Sequence, residues 1–219
     1  MDIKFIEYAI YILLIAMSNH LICFVLGGPG SGKGTLGKEM VIEMGFHHIS
    51  VGDVIRNYMN NNPTNPDVIR YGKTLTDGNC IPAEESIIFL LKATDNIYQN
   101  SDKPVKLIID GYPRSLSQFE AYNKHSWIPF NGNPNLFLIY VNTSEEIMKK
   151  RLHGRNRDYR DQDNIIINKR LQYFNTETMD VINTIKTEIP DQLIILNGDL
   201  NYKTNVSLLK DIFKNKKLL

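Results

Sequence analysis

Cysteine is scarce in this chain: Cys23 and Cys80 are the only two among 219 residues, far apart and outside any metal-ligand spacing. That argues against a disulfide-built scaffold or a thiolate metal site, and it suits a reducing compartment. The five histidines form no ligand set either. His47 and His48 are neighbours on an expected strand, so their side chains point to opposite faces. Net charge is small, at +1, which removes the electrostatic case for a nucleic acid polymer or an anionic membrane as partner. No internal repeat is present. With 42% hydrophobic residues, the chain can bury one substantial core, and a single domain with small insertions is expected.

A membrane-spanning run is also missing, with one near-exception. Tyr8 to Leu26 carries no formal charge, but its second part, Leu21–Leu26, is needed as a strand. The rest, Tyr8–Met17, falls short of the roughly 20 apolar residues that a span requires. It has the length of a signal-peptide apolar region, yet Asp2, Lys4 and Glu7 make a poor basic leader and no clear cleavage site follows. Residues 1–19 are therefore expected to be a non-catalytic appendage. An added helix, a membrane tether and a misassigned start remain alternatives.

What the chain does have is Gly27-Gly28-Pro29-Gly30-Ser31-Gly32-Lys33-Gly34-Thr35. This stretch follows the apolar strand Leu21–Leu26 and precedes apolar positions at helical spacing, Leu36, Met40, Ile42 and Met44. Strand, glycine-rich loop and helix is the context of a phosphate-binding loop. Without Cβ atoms, successive N–H groups can converge on phosphate oxygens, and the helix N-terminus favours an anion. Lys33 supplies a mobile positive charge, and Thr35 a hydroxyl near the metal. Gly28, Pro29, Gly30, Ser31, Gly32, Lys33, Gly34 and Thr35 are the residues expected to bind a nucleoside triphosphate.

The remainder alternates strand and helix. Expected strands are Leu21–Leu26, His47–Val51, Val105–Asp110, Leu136–Val141 and Leu193–Asn197, short apolar runs covered on both faces. Ile167, Leu171, Phe174, Ile182 and Ile185 mark one helix face, and Val206, Leu209 and Phe213 another. Such alternation predicts an α/β fold with a parallel sheet, right-handed crossovers and a ligand at the strands' carboxyl ends. The polar stretch from Asn60 to Pro66 reads as an exposed turn.

Three further motifs narrow the chemistry: His48-Ile49-Ser50-Val51-Gly52-Asp53-Val54-Ile55-Arg56; Asp110-Gly111-Tyr112-Pro113-Arg114 with Gln118; and Arg151 and Arg155 followed by Arg160-Asp161-Gln162-Asp163 and Lys169-Arg170. With the loop, and in this order, they resemble the nucleoside monophosphate kinases, which comprise adenylate kinases and UMP-CMP kinases. The resemblance runs from about Leu21 to the C-terminus. It implies a P-loop NTPase with a five-stranded parallel sheet flanked by helices. An acceptor-binding insertion is expected at about 53–83 and a short, cysteine-free lid at about 155–165, all within a 20–219 kinase domain.

The resemblance also implies roles. Phosphoryl transfer between nucleotides is mainly positioning and charge neutralisation, and arginine's planar fork suits both. Val51, Arg56, Gly111, Arg114 and Gln118 are expected at the acceptor monophosphate, with Arg160 and Arg170 reaching it. Lys33, Arg114, Arg155, Arg160 and Arg170 are the expected catalytic set, and Arg151 is expected over the donor base. Mg²⁺ is expected through Thr35, Asp53 and Asp110, mostly by way of water. Arg160 stands one step later than the family's arginine, and Arg157 competes with it.

The acceptor is narrowed less firmly. Gln118 suits either a purine or a pyrimidine edge, and it is the usual residue of adenylate kinases. Val51 has the shape of threonine without the hydroxyl, which favours neither group. Asn65-Pro66-Asp67, Tyr71-Gly72 and Gly78 to Glu84 look more like the UMP-CMP kinases. UMP or CMP is the expected acceptor and AMP the alternative. A reading of another class is an inactive nucleotide-binding regulator or tethered scaffold. A cytoplasmic monomer is expected.

Overall fold

The structure is a computed structural model that describes residues 20–77, 79–101, 104–126, 128–130, 133–154 and 163–219. Five strands form one parallel sheet: β1 (Leu21–Leu26), β2 (His47–Ser50), β3 (Lys106–Asp110), β4 (Leu136–Asn142) and β5 (Leu193–Asn197). Their order across the sheet is β2-β3-β1-β4-β5. After β1 the chain crosses towards β2, and after β3 it returns to the other side of β1. The carboxyl end of β1 is thus a topological switch point, where open sheets of this kind bind their ligands.

Alternate residues of each central strand enter different cores, as the two-residue period of a strand requires. Ile22, Phe24 and Leu26 of β1 join Leu107 and Ile109 of β3 on one face. Leu21, Cys23 and Val25 join Ile108, Phe137 and Ile139 on the other. The second face is covered by α1 (Lys33–Met44) and α9 (Tyr202–Asn215), through Leu36, Met40, Leu209 and Phe213. The first is covered by α4 (Ala83–Gln99), α5 (Leu116–His125) and α8 (Met179–Glu188), through Leu90, Tyr122 and Ile182 among others. Each such side chain contributes about 1.5–3 kcal/mol when fully buried. Cys23 and Cys80 are both unpaired, and burial pushes the Cys23 thiol far above its usual range.

Between β2 and α4 lie α2 (Val51–Asn61) and α3 (Pro66–Thr76); α6 (Glu145–His153) follows β4, and α7 (Asn164–Tyr173) leads towards α8. All five expected strands are present, with edges shifted by single residues. β2 stops at Ser50 because the Ser50 hydroxyl accepts the Asp53 N–H and caps α2, so Val51 is already helical. The turn expected from Asn60 to Pro66 is tighter than its sequence suggests. Asn60 and Asn61 complete α2, while Pro66 opens α3 with Asn65 as its cap. Ile167 to Ile185 is not one uniform helix: a π-helical turn, Phe174–Thr178, joins α7 to α8. Residues 1–19 and 155–162 lie outside the described residues, and with them most of the expected lid. No helix among the described residues is long and apolar enough to cross a membrane.

Candidate active site

A cleft of about 520 Å³ opens at the carboxyl ends of β1, β2 and β3. The phosphate loop forms its floor. Gly30 has φ +82°, and a Cβ there would lie 2.4 Å from the Met148 carbonyl oxygen, so glycine is required twice over. α1 begins at Lys33 with no acidic residue in its first turn, leaving its positive end uncompensated for an anion. The Lys33 ammonium donates to the Gly28 carbonyl at 3.2 Å, which folds the side chain back along the loop.

On the far wall, β3 ends in Asp110 and the chain turns through Gly111, at φ +75°, and a cis Tyr112–Pro113 bond. Arg114 is fixed at three points. Its N–H donates to Gln118 Oε1 at 2.8 Å, its Nε–H to the Gly111 carbonyl at 2.7 Å, and its carbonyl accepts the Thr178 hydroxyl at 2.9 Å. Gln118 is buried, and its Nε2 reaches the Ile81 carbonyl at 3.4 Å. This amide therefore ties the start of α5 to Ile81, just before α4, beyond facing the cleft. In α2, Arg56 pairs with Asp53 and lies against Gly52.

Asp110 is the electrostatic centre of the cleft. Burial alone would raise its carboxyl, but His48, Lys33 and Arg114 outweigh burial and hold it below the usual carboxylate range. His48 Nε2 stands 3.7 Å from Asp110 Oδ2, an electrostatic contact too long for a hydrogen bond. Asp110 Oδ1 is buried without a hydrogen-bond partner, and Gly34 lies close beside Oδ2. Among the described residues no group of three or more His, Cys, Asp or Glu side chains could hold a metal alone.

A second pocket, of about 430 Å³, lies behind the loop and is lined by Ser31, Gly32, Thr35, Arg151, Gly198 and Tyr202 among others. Arg151 Nη1 donates to the Ser31 and Gly198 carbonyls, at 3.2 and 2.9 Å. The Thr143 hydroxyl donates to the same Ser31 carbonyl at 3.2 Å. The loops after β1, β4 and β5 are joined here.

Pro29, Gly30, Gly32, Lys33, Gly34, Thr35, Val51, Asp53, Arg56, Asp110, Gly111, Arg114, Gln118 and Arg170 all line the first cleft. Ser31 and Arg151 line the second pocket, while Gly28 lies beneath the loop against Met148. Arg155 and Arg160, like their competitor Arg157, fall outside the described residues. His48 was not singled out from sequence, although it opens the motif that carries Val51, Asp53 and Arg56. Thr143 and Thr178 act through backbone carbonyls of distant segments, and no local pattern marks them. Tyr202 follows the Gly198-Asp199 turn after β5, a glycine turn at a carboxyl strand end that could have pointed to it.

The family described as Adenylate kinase matches residues 25–189. The chain belongs to the adenylate kinase family. It is similar to UMP-CMP kinase 3 of Arabidopsis thaliana, 37% identical over 74% of this chain and 74% of that one. It is also similar to adenylate kinase 1 of Schistosoma mansoni, 34% identical over 78% and 83%, and to adenylate kinase isoenzyme 1 of Gallus gallus, 31% identical over 76% and 81%. As a member of the adenylate kinase family, it is a nucleoside monophosphate kinase, and its P-loop fold is that of the family.

Proposed function

We propose that the enzyme moves the γ-phosphoryl group of ATP reversibly to a pyrimidine nucleoside monophosphate, UMP or CMP, giving ADP and a nucleoside diphosphate. One observation carries the reading: a single cleft gathers Lys33, Arg56, Arg114 and Arg170 around the phosphate loop. Two polyanions can be held side by side only where such charges neutralise them. In this reading the loop and Lys33 bind the donor phosphates, and the pocket beside Arg151 takes the donor base. Arg56 and Arg114 hold the acceptor phosphate, and Arg170, with Arg155 and Arg160 of the lid, surrounds the group in flight. Lid closure would exclude water, so that the phosphoryl group passes to the nucleotide and not to hydroxide or water.

Mg²⁺ belongs to this proposal, and the residues suit it. Asp110 offers a buried unpaired oxygen beside the loop, Thr35 a hydroxyl, and Asp53 a second carboxylate, a set fitted to a hydrated ion. When bound, the ion would neutralise charge on the donor phosphates. The chain's own part is to keep Asp110 ionised, which Lys33, Arg114 and His48 support. A cytoplasmic monomer completes the reading; the two unpaired thiols, one of them buried, support the reducing compartment.

The pyrimidine preference rests on the relatedness to UMP-CMP kinase 3 and on the Gly78–Glu84 stretch. Gln118 and the adenylate kinase relatives favour AMP as the second reading. Purified protein with ATP and Mg²⁺ is offered UMP, CMP and AMP in separate reactions, and diphosphate is measured. UMP and CMP are expected to exceed AMP by at least about tenfold in kcat/KM, the scale of discrimination one pocket readily supplies. AMP as the best acceptor overturns the pyrimidine assignment, and no product from any acceptor supports the inactive regulator.

A further inference from the structure

The π-helical turn at Phe174–Thr178 is the one departure from regular helix in the α7–α8 rod, and such turns are frequent at functional sites. Met179 N–H closes its ring on the Phe174 carbonyl. In an ordinary helix a threonine hydroxyl commonly bonds back to a carbonyl three or four residues earlier. Thr178, 3% exposed, instead crosses to a different segment and donates to the Arg114 carbonyl at 2.9 Å. The same rod carries Arg170 into the cleft and is capped by Asp163 at its lid end.

We infer that Thr178 is a positioning residue for the acceptor phosphate, holding the Arg114 backbone so that its guanidinium keeps its aim into the cleft. The inference builds on the kinase reading above. Three bonds fix Arg114. The one to Gln118 lies within the neighbouring helix start and the one to Gly111 within the same turn, so of these three bonds the one from Thr178 anchors Arg114 to the rod that bears Arg170, beside the contact of Tyr173 with Ser115. Without the hydroxyl, the Arg114 carbonyl loses its protein partner on that side, and the turn gains freedom at the point where the acceptor phosphate is clamped. No donor-loop residue is a partner in these three bonds, although Gly28 approaches Phe174 at the head of the π turn, so ATP binding is expected to be unaffected.

Thr178→Val removes the hydroxyl at nearly constant shape, and Thr178→Ser keeps it; Thr178→Ala repeats the comparison if valine is not accommodated. Rates are measured against UMP and ATP separately, and both affinities by calorimetry, with the ATP stoichiometry correcting for folded fraction. The valine variant should lose about tenfold in kcat/KM for the acceptor, the scale of one hydrogen bond, with ATP affinity unchanged and the serine variant restored. Equal acceptor constants, or a loss shared equally by ATP, overturns the role. If the wild type turns over no monophosphate, the kinase reading fails, and UMP affinity alone decides. Weakening by valine then upholds Thr178, whereas equal UMP affinity, or none in the wild type, overturns it.

Discussion

The cleft has a proposed donor half and a proposed acceptor half. In the donor half the backbone itself carries the shape: one contiguous loop, with Gly30 and Gly32 at positive φ, wraps from the buried strand β1 into α1. In the acceptor half, residues from four separate segments meet, and side chains hold them. Gln118 spans Arg114 and Ile81, Thr178 reaches Arg114, and Arg56 pairs with Asp53. The donor half is pinned against neighbours that cannot yield, notably the Met148 carbonyl and Leu152. The acceptor half sits partly on α2 and α3, where Arg70 pairs with the exposed Asp67 and the half-buried Glu85. The site proposed to hold two phosphates thus has one rigid wall and one assembled wall. That asymmetry suits the proposed reading, in which the insertion between β2 and α4 binds the acceptor.

The largest effect should come from breaking the rigid wall. Gly30→Ala places a Cβ 2.4 Å from a carbonyl at a left-handed φ. A stability loss of about 2–4 kcal/mol is expected in denaturant titration, with ATP binding lost together with it. Arg114→Ala strikes the assembled wall at its centre. It should lower kcat/KM for the acceptor by about a hundredfold while ATP affinity stays near wild type. Matching losses for donor and acceptor would show that the two halves are not separable.

Acid sharpens the comparison at the point where the walls meet. The Asp110 carboxyl is depressed in the folded protein, so the unfolded chain takes up its proton first, at about pH 3.9. Its stabilising contribution is complete above that pH and is lost as pH falls through the lower folded value. Asp110→Asn should therefore flatten the acid limb of stability below about pH 4, seen in denaturant melts at stepped pH. The smallest effect is expected from Arg70→Ala, whose pairs with the exposed Asp67 and the half-buried Glu85 should change the melting temperature by no more than about a degree or two, the scale of one surface pair.

The same asymmetry explains what could be read from the chain alone. β1, β3 and β4 are apolar runs because both their faces are buried, and burial is what composition records best. The phosphate loop is legible because its chemistry needs glycines and a lysine in unbroken order. The proposed acceptor wall was legible only residue by residue through family motifs, which pointed to Arg56, Arg114 and Gln118, all of which line the cleft. The bonds that fix those residues were not. Thr178 lies 64 residues from Arg114 along the chain, and the π turn that presents it leaves the apolar spacing of Ile167, Leu171, Phe174 and Ile182 intact. His48 escaped for a simpler reason: a histidine on a strand declares its face but not that Asp110 stands opposite.

The central claim is that both walls serve one site, and the most direct measurement is the binding of adenosine and uridine joined through five phosphates. Titration calorimetry should find one molecule per chain, bound more tightly than ATP or UMP alone and displaced by either. Displacement by ATP but not by UMP would contradict the account, because the acceptor residues would then lie outside the site that the phosphate loop defines.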